Sequence, residues 1–124
     1  MTDTLRPIAL HVQRETILAY AEITGDYNPI HVDPGFAAAT PMGGVIAHGT
    51  MSLNLLWQSI AATLGEDALH RTNLDIRFVR PVRIGDTVEA GGVRLPERVD
   101  TWEVWVRNAA GEPVISGTAT LVAP

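Results

Sequence analysis

A nearly continuous apolar segment in the middle of the chain limits the folds that are open to it. Residues 50–64 follow helical spacing, and polar side chains occupy little of the helix surface. A helix that is apolar on almost every face belongs inside a protein. Its apolar positions are Met51, Leu53, Leu55, Leu56, Trp57, Ile60, Ala61 and Leu64. The rest of the chain must therefore supply a layer that covers this helix.

From residue 72 the helical spacing gives way to the two-residue alternation that is typical of strands. Leu74, Ile76 and Phe78 alternate with the residues between them. Further strands are predicted over residues 86–95, 101–107 and 113–122. The pair Gly91-Gly92 predicts a bulge in the first of these. A buried helix followed by antiparallel strands predicts an α+β domain.

Shorter elements precede the apolar helix. Gly25 interrupts one helical pattern and should end that helix. Asp33 followed by Pro34 is a typical helix start, with the proline at the first helical position. The predicted elements are a strand over residues 8–12, a helix over 14–24, a short helix over 33–39 and a flexible connection over 40–44.

Composition excludes several classes of function. The 124 residues carry a formal net charge of −5, which gives little electrostatic support to nucleic-acid binding. All nine basic residues are arginine and cysteine is absent, which excludes lysine Schiff bases, thiol nucleophiles and disulfides. No segment resembles a signal peptide or a membrane span. A cytoplasmic protein that binds no membrane is therefore expected, with one domain over residues 1–124.

The segment from Gly25 to His31, with the sequence GDYNPIH, holds the residues best suited to chemistry. It places a carboxylate and an imidazole five residues apart, where Asn28-Pro29 forces an extended or turn conformation. Such groups ordinarily titrate at about 3.9 and 6.5. Asp26 and His31 could therefore share one water and move its protons near neutral pH. The alternative is a turn in which Asp26 is only a cap.

This spacing resembles the signature of the MaoC-like hydratases, the (R)-specific enoyl-CoA hydratases and 3-hydroxyacyl dehydratases, in which G-D-x-N-P-x-H carries the catalytic Asp and His. A second segment, residues 45–51, resembles the A-H-G sequence at the start of that family's central helix. The resemblance implies a hotdog fold, in which an antiparallel sheet wraps around a long central helix. The sequence contains no metal, flavin or nucleotide motif, so no metal or cofactor is expected.

The start of the central helix is the second part of the predicted site. A helix N-terminus presents unpaired N–H groups, which suit an oxygen that gains negative charge. In the family the amide at the glycine position polarises the thioester carbonyl, and the resemblance assigns this role to Gly49. Alternatively, Gly49 only permits close packing. His48 is a candidate for substrate binding, although it could equally cap, pack or contact a neighbouring subunit.

Three other residues are candidates for substrate binding. Asn28 would orient the loop or the water through its amide, or simply form the turn. Trp57 stands nine residues beyond His48, where some family members have a serine near the catalytic pair. There it either limits the acyl tunnel or fills core, which is the preferred interpretation. Asn54 could supply the missing polar contact from one turn earlier.

The reaction implied by the resemblance is reversible hydration of a trans-2-enoyl thioester to an (R)-3-hydroxyacyl thioester. In the preferred division of roles, Asp26 is the base for water. His31 orients that water and passes a proton to carbon, while the Gly49 N–H stabilises the enolate-like oxygen.

The resemblance also implies the partners. The substrate would be a thioester of CoA or of acyl carrier protein, and Arg77, Arg80 and Arg83 are candidates for contacting its phosphates. A homodimer, or a higher assembly of dimers, is expected, because an uncovered strand edge in a small domain favours pairing. Two other interpretations stay open: a hotdog thioesterase, and a non-catalytic acyl-thioester-binding subunit of a heteromeric dehydratase.

Overall fold

The computed structural model describes residues 3–123. Its strands are β1 (Ile8–His11), β2 (Thr72–Phe78), β3 (Thr87–Leu95), β4 (Arg98–Asn108) and β5 (Pro113–Leu121). Its helices are α1 (Arg14–Thr24), α2 (Pro29–Val32), α3 (Pro34–Ala38) and α4 (Gly49–Leu64), followed by a 3-10 helix over Glu66–Arg71. No helix within the described residues is both long and apolar enough to cross a bilayer.

The strands form one antiparallel sheet in the order β1-β3-β4-β5-β2. Consecutive hairpins join β3, β4 and β5, so these strands occupy its centre. The strand β2 follows α4 in sequence and pairs only with β5, from Thr72 opposite Leu121 to Phe78 opposite Ile115. Its other edge therefore has no partner within the described part of the chain.

The central helix α4 packs across the inner face of this sheet, against β1, β3, β4 and β5. Leu56 and Ile60 of α4 are almost completely buried, as are Val106 and Ile115 of the sheet. Burying an aliphatic side chain of this size contributes about 1.5–3 kcal/mol. The predicted α+β hotdog arrangement is confirmed, with a sheet curved around one long helix.

The helix α4 is less enclosed than its sequence predicts. Thr50, Asn54 and Gln58 are exposed at four-residue intervals and form a polar stripe along one side. The sheet covers the opposite side, which carries the buried residues. The sequence therefore identified the helix correctly but did not show that one face reaches solvent.

The predicted bulge at Gly91-Gly92 is wrong. The ladder with β4 is regular there, and its register shifts between Arg94 and Leu95, while that of β4 with β5 shifts beyond Val106. The two glycines instead permit close packing. A Cβ atom on Gly91 would lie 3.0 Å from the Trp105 indole nitrogen, and one on Gly92 would lie 2.8 Å from a backbone oxygen.

The predicted start and end signals in the N-terminal half are confirmed. Gly25 ends α1 with a left-handed φ of 72°. The Asp33 side chain caps α3 by accepting a hydrogen bond from the Phe36 N–H. The helix α2 and the 3-10 helix were not predicted, because elements of four to six residues are too short to show periodicity.

Candidate active site

Local hydrogen bonds shape the segment that carries Asp26 and His31. The Asn28 N–H donates to the Asp26 Oδ1 at 3.2 Å, and the Asn28 Oδ1 accepts from the Ile30 N–H at 3.2 Å. Asn28 thereby caps α2, and Pro29 occupies its first position. Such a side-chain cap satisfies an N–H group that would otherwise be unpaired. The single turn of helix that follows turns His31 back toward the loop.

A backbone carbonyl sets the tautomer of His31. Its Nδ1 lies 2.7 Å from the Ile46 carbonyl oxygen, and because a carbonyl can only accept, Nδ1 carries the hydrogen. In the neutral ring, Nε2 therefore has a free lone pair. The Ile46 N–H in turn donates to the Ile30 carbonyl at 3.2 Å, which holds this segment beside α2.

His48 lies beneath this pair. It is 2% exposed, and its ring stacks on His31 with 3.9 Å between centroids and 25° between planes. Its Nε2 lies 2.9 Å from the Asp26 backbone oxygen and must donate to it. The Tyr20 and His48 rings also meet, in an edge-to-face arrangement with 5.0 Å between centroids and 63° between planes. The sequence therefore placed His48 near the site, and the structure places it inside the protein.

The structure brings three chemically active side chains together. One nitrogen or carboxylate oxygen from each of Asp26, His31 and His48 lies within 4.8 Å of the other two. Asp26 is exposed and His31 half-buried. A single water can bridge a carboxylate and an imidazole at such a separation. Within residues 3–123, these are also the side chains close enough to share a metal ion.

A cleft of about 340 Å³ opens beside His31 and His48. Its size falls at the small end of the range for ligand pockets. Gly49 and Ser52, which lie one turn apart on α4, form part of its wall. Its apolar lining comes from Met42, Ile46, Ala47, Phe78, Val79, Pro81, Val82 and Val114. An apolar chain could therefore enter with its polar end next to the imidazoles.

A larger cavity of about 540 Å³ lies elsewhere, on the outer face of the sheet beside Trp105. Its lining does not include Asp26, His31 or His48. Because His31 and His48 line the smaller cleft, and Asp26 lies next to them without lining it, that cleft is the chemically relevant one.

The N-terminus of α4 faces the cleft through Gly49. His48 is the N-cap residue, and its side chain makes no capping hydrogen bond, so it does not occupy the first N–H groups of the helix. Phe78 covers this end, since a Cβ atom on Gly49 would lie 3.0 Å from its ring. Glycine thus allows close approach at the point where an oxygen could meet the helix dipole.

The remaining predicted substrate-binding residues are not in the cleft. Asn28 caps α2, as described above. Asn54 donates to the Tyr20 hydroxyl at 3.3 Å and lines a different groove, between α1 and α4. Trp57 is partly buried against the hydrophobic core and is not among the residues that line the cleft.

Three residues of the site were not predicted from the sequence. Ser52 had a detectable signal, because it lies three positions after Gly49 and so on the same face of the helix. Tyr20 and Phe78 followed ordinary helix and strand patterns. Nothing in those patterns shows that they contact His48 and Gly49 across the fold.

Comparison with known proteins identifies the family of this chain. The profile of the MaoC-like domain matches residues 2–120. A 3-hydroxybutyryl-CoA dehydratase from Methylorubrum extorquens is 34% identical over 91% of this chain and 74% of its own length. An (R)-specific enoyl-CoA hydratase from Rhodospirillum rubrum is 31% identical over 94% of this chain and 83% of its own.

A solved structure supports the same relationship. An unliganded R-hydratase from Pseudomonas aeruginosa superimposes with a TM-score of 0.76 at 30% identity, covering 96% of this chain and 79% of the other. The family profile matches nearly the whole chain, and the structural superposition shows the same fold. The chain belongs to the MaoC-like domain family.

Proposed function

We propose that this protein is a lyase that reversibly hydrates a trans-2-enoyl thioester to the (R)-3-hydroxyacyl thioester. The observation that carries the proposal is the clustering of the Asp26 and His31 side chains, with His31 and Gly49 lining the same cleft. Relatives of this chain are named for hydration and dehydration of such thioesters, with R specificity in one name. The geometry of the site and the names of the relatives therefore support the same reaction.

The pair acts on one water. Water donates one hydrogen bond to the Asp26 carboxylate and one to the His31 Nε2. As its oxygen bonds to C3 of the enoyl group, the C2–C3 π electrons shift toward the thioester carbonyl and form an enolate. The pair holds the proton that water loses and delivers it to C2 when the enolate collapses. Because a neutral His31 has no hydrogen on Nε2, any proton that it passes to carbon must first come from the water.

The helix terminus stabilises the intermediate charge. The enolate oxygen accepts a hydrogen bond from the Gly49 N–H at the positive end of α4. Donors in comparable positions contribute roughly 3–4 kcal/mol to transition-state stability. The apolar walls of the cleft exclude water and strengthen this interaction.

Crotonyl-CoA distinguishes this activity from its alternatives. Hydration removes the absorbance of the enoyl thioester without releasing a thiol, whereas a thioesterase would release free CoA. A non-catalytic subunit would bind the thioester and cause neither change. The configuration of the product can be tested with an (S)-specific 3-hydroxyacyl-CoA dehydrogenase, which should form no NADH because it does not oxidise the R product. Thiol release, or an unchanged enoyl absorbance, would contradict the proposal.

Substitution of Gly49 tests the carbonyl subsite. In Gly49→Ala the new methyl group meets the Phe78 ring, which is 54% exposed and can move aside. We therefore expect a melting temperature close to that of the wild type. The methyl group crowds the amide, and kcat/KM for crotonyl-CoA should fall by about tenfold or more. Gly44→Ala is the matched control, because its Cβ would make only an ordinary 3.7 Å contact with Arg83. Equal activity in the two variants would place the carbonyl elsewhere.

The carrier and the assembly are further parts of the proposal. Arg80 lines the cleft and pairs with Glu112 at 3.3 Å, so it is placed to exchange that partner for a phosphate of CoA or of a carrier protein's arm.

The free edge of β2 and the exposed side chains of Phe78 and Val79 favour a homodimer in which two sheets join. Light scattering should then give twice the 13.4 kDa of one chain.

A further inference from the structure

The interior of the site contains a histidine to which the proposed reaction assigns no step. His48 contacts both members of the acid/base pair, stacking on the His31 ring and donating to the Asp26 carbonyl. We propose that His48 is a positioning residue, which holds Asp26, His31 and the Gly49 amide in one geometry from within the fold. This inference rests on the proposed function and identifies what keeps its parts aligned.

The hydrogen bond from His48 anchors the segment from Gly25 to His31, which carries the acid/base pair. Asp26 otherwise makes local hydrogen bonds, from its N–H to the Thr24 hydroxyl at 3.4 Å and from the Asn28 N–H to its carboxylate at 3.2 Å. The bond from His48 Nε2 spans 22 residues of sequence and measures 2.9 Å. By fixing the Asp26 peptide group against the interior, it fixes the direction in which the exposed carboxylate leaves the backbone.

The stacking contact restrains the second member of the pair. His31 is tethered at Nδ1 by the Ile46 carbonyl, which still leaves its ring free to tilt. The parallel face of His48, 3.9 Å away, removes that freedom. The Tyr20 ring contacts His48 as well, and its hydroxyl donates to the Thr50 hydroxyl on α4 at 2.7 Å. The free lone pair of His31 is thus aimed by a chain of contacts that ends on the central helix.

The backbone of His48 adds the third group. It is the N-cap residue of α4, so the residue that touches Asp26 and His31 directly precedes the Gly49 N–H. A displacement of His48 would therefore move all three functional groups relative to one another. Catalytic groups need to be held within about 0.5 Å of their productive arrangement.

Packing alone does not explain a histidine at this position. Its Nδ1 is buried without a hydrogen-bond partner among the described residues, and a buried unpaired polar atom lowers stability. Phenylalanine would keep an aromatic ring in contact with Tyr20 and His31 and would remove that unpaired atom. The two side chains differ chiefly in the N–H that reaches Asp26.

Two substitutions separate the hydrogen bond from the ring contact. We expect His48→Phe to keep a melting temperature near that of the wild type, while kcat for crotonyl-CoA falls by about tenfold or more and KM changes by less than about threefold. His48→Gln retains an N–H donor and should recover part of the lost kcat. His70→Phe makes the same chemical change at an exposed position of the 3-10 helix outside the cleft, so it is the control and should stay near the wild-type rate. A His48→Phe enzyme with kcat within about twofold of the wild type would overturn the proposal.

A measurement without substrate separates this proposal from the proposed function. In NMR spectra of His48→Phe, the Asp26 carbonyl carbon should shift, and the order parameter of the Asn28 amide should fall. The Gly65 amide, bonded to Ala61 at the far end of α4, should not change. An inactive wild-type protein would refute the hydratase assignment and still allow this test. Unchanged Asp26 and Asn28 signals would refute the role of His48. If His48→Phe does not fold, His48→Leu, which also removes the N–H donor, takes its place, and unchanged Asp26 and Asn28 signals in that variant would refute the role of His48.

Discussion

Replacing Asp26 with asparagine is expected to lower the rate of enoyl-thioester hydration by at least about 100-fold, the lower end of what a general acid or base contributes. The amide keeps an oxygen where Oδ1 accepts from the Asn28 N–H, so the loop should retain its shape. It cannot accept a proton from water at neutral pH. Steady-state kinetics with crotonyl-CoA measure the loss, which should appear in kcat rather than in KM.

The matching change at the histidine is His31→Asn. The asparagine amide N–H can replace Nδ1–H as the donor to the Ile46 carbonyl, and no group then stands at the position of Nε2. We expect a similar loss of at least about 100-fold. The double variant should lose little more than either single variant, because residues that act as a unit are not additive.

Asp33→Asn is the control for the Asp26 and His31 variants. It makes the same chemical change as Asp26→Asn, just beyond that segment, at a carboxylate that only caps α3. Its rate should stay within about twofold of the wild type, because a capped helix end outside the cleft contributes to stability and not to the reaction. If Asp26→Asn is as active as Asp33→Asn while remaining folded, Asp26 is not part of the proton transfer.

The second large effect concerns stability. Gly117 lies on β5, between Ile76 of β2 and Val104 of β4. A Cβ atom at Gly117 would lie 2.0 Å from the Asp75 backbone oxygen. In a strand, alanine would ordinarily stabilise relative to glycine by about 0.5–1 kcal/mol. Here the clash is with backbone and not with a flexible side chain, so we expect Gly117→Ala to lower the free energy of unfolding by about 3 kcal/mol or more.

Urea unfolding of Gly117→Ala and the wild type measures this difference from their midpoints and slopes. Ser116→Ala is the control on the adjacent residue, whose side chain points to the other face of the sheet and is half-buried. It should change stability by less than about 0.5 kcal/mol. A Gly117→Ala protein as stable as this control would mean that β2 and β5 do not approach as closely as described. Because β2 carries Phe78, separating these strands should also disturb the cleft.

The two halves of the site differ in how far the sequence predicted them. The acid/base loop was predictable because its geometry is local: Gly25 ends a helix, Asn28 caps the next, and the two functional side chains are five residues apart. The role of Asn54 was not, since its exposed side chain reaches Tyr20, 34 residues away in sequence. For Trp57 the sequence left two interpretations open. It packs against the hydrophobic core, which was the preferred one, and only the packing of α4 could decide between them.

The sequence by itself determined the alternation of elements, the apolar central helix and the family to which the chain belongs, because periodicity, capping and short motifs are encoded within a few neighbouring residues. The tertiary structure decided which face of α4 stays exposed, which glycines are needed for close packing, and that His48 lies beneath Asp26 and His31. These outcomes depend on contacts between residues that are tens of positions apart. Such contacts follow from how the sheet curves around the helix, and no local pattern records that curvature.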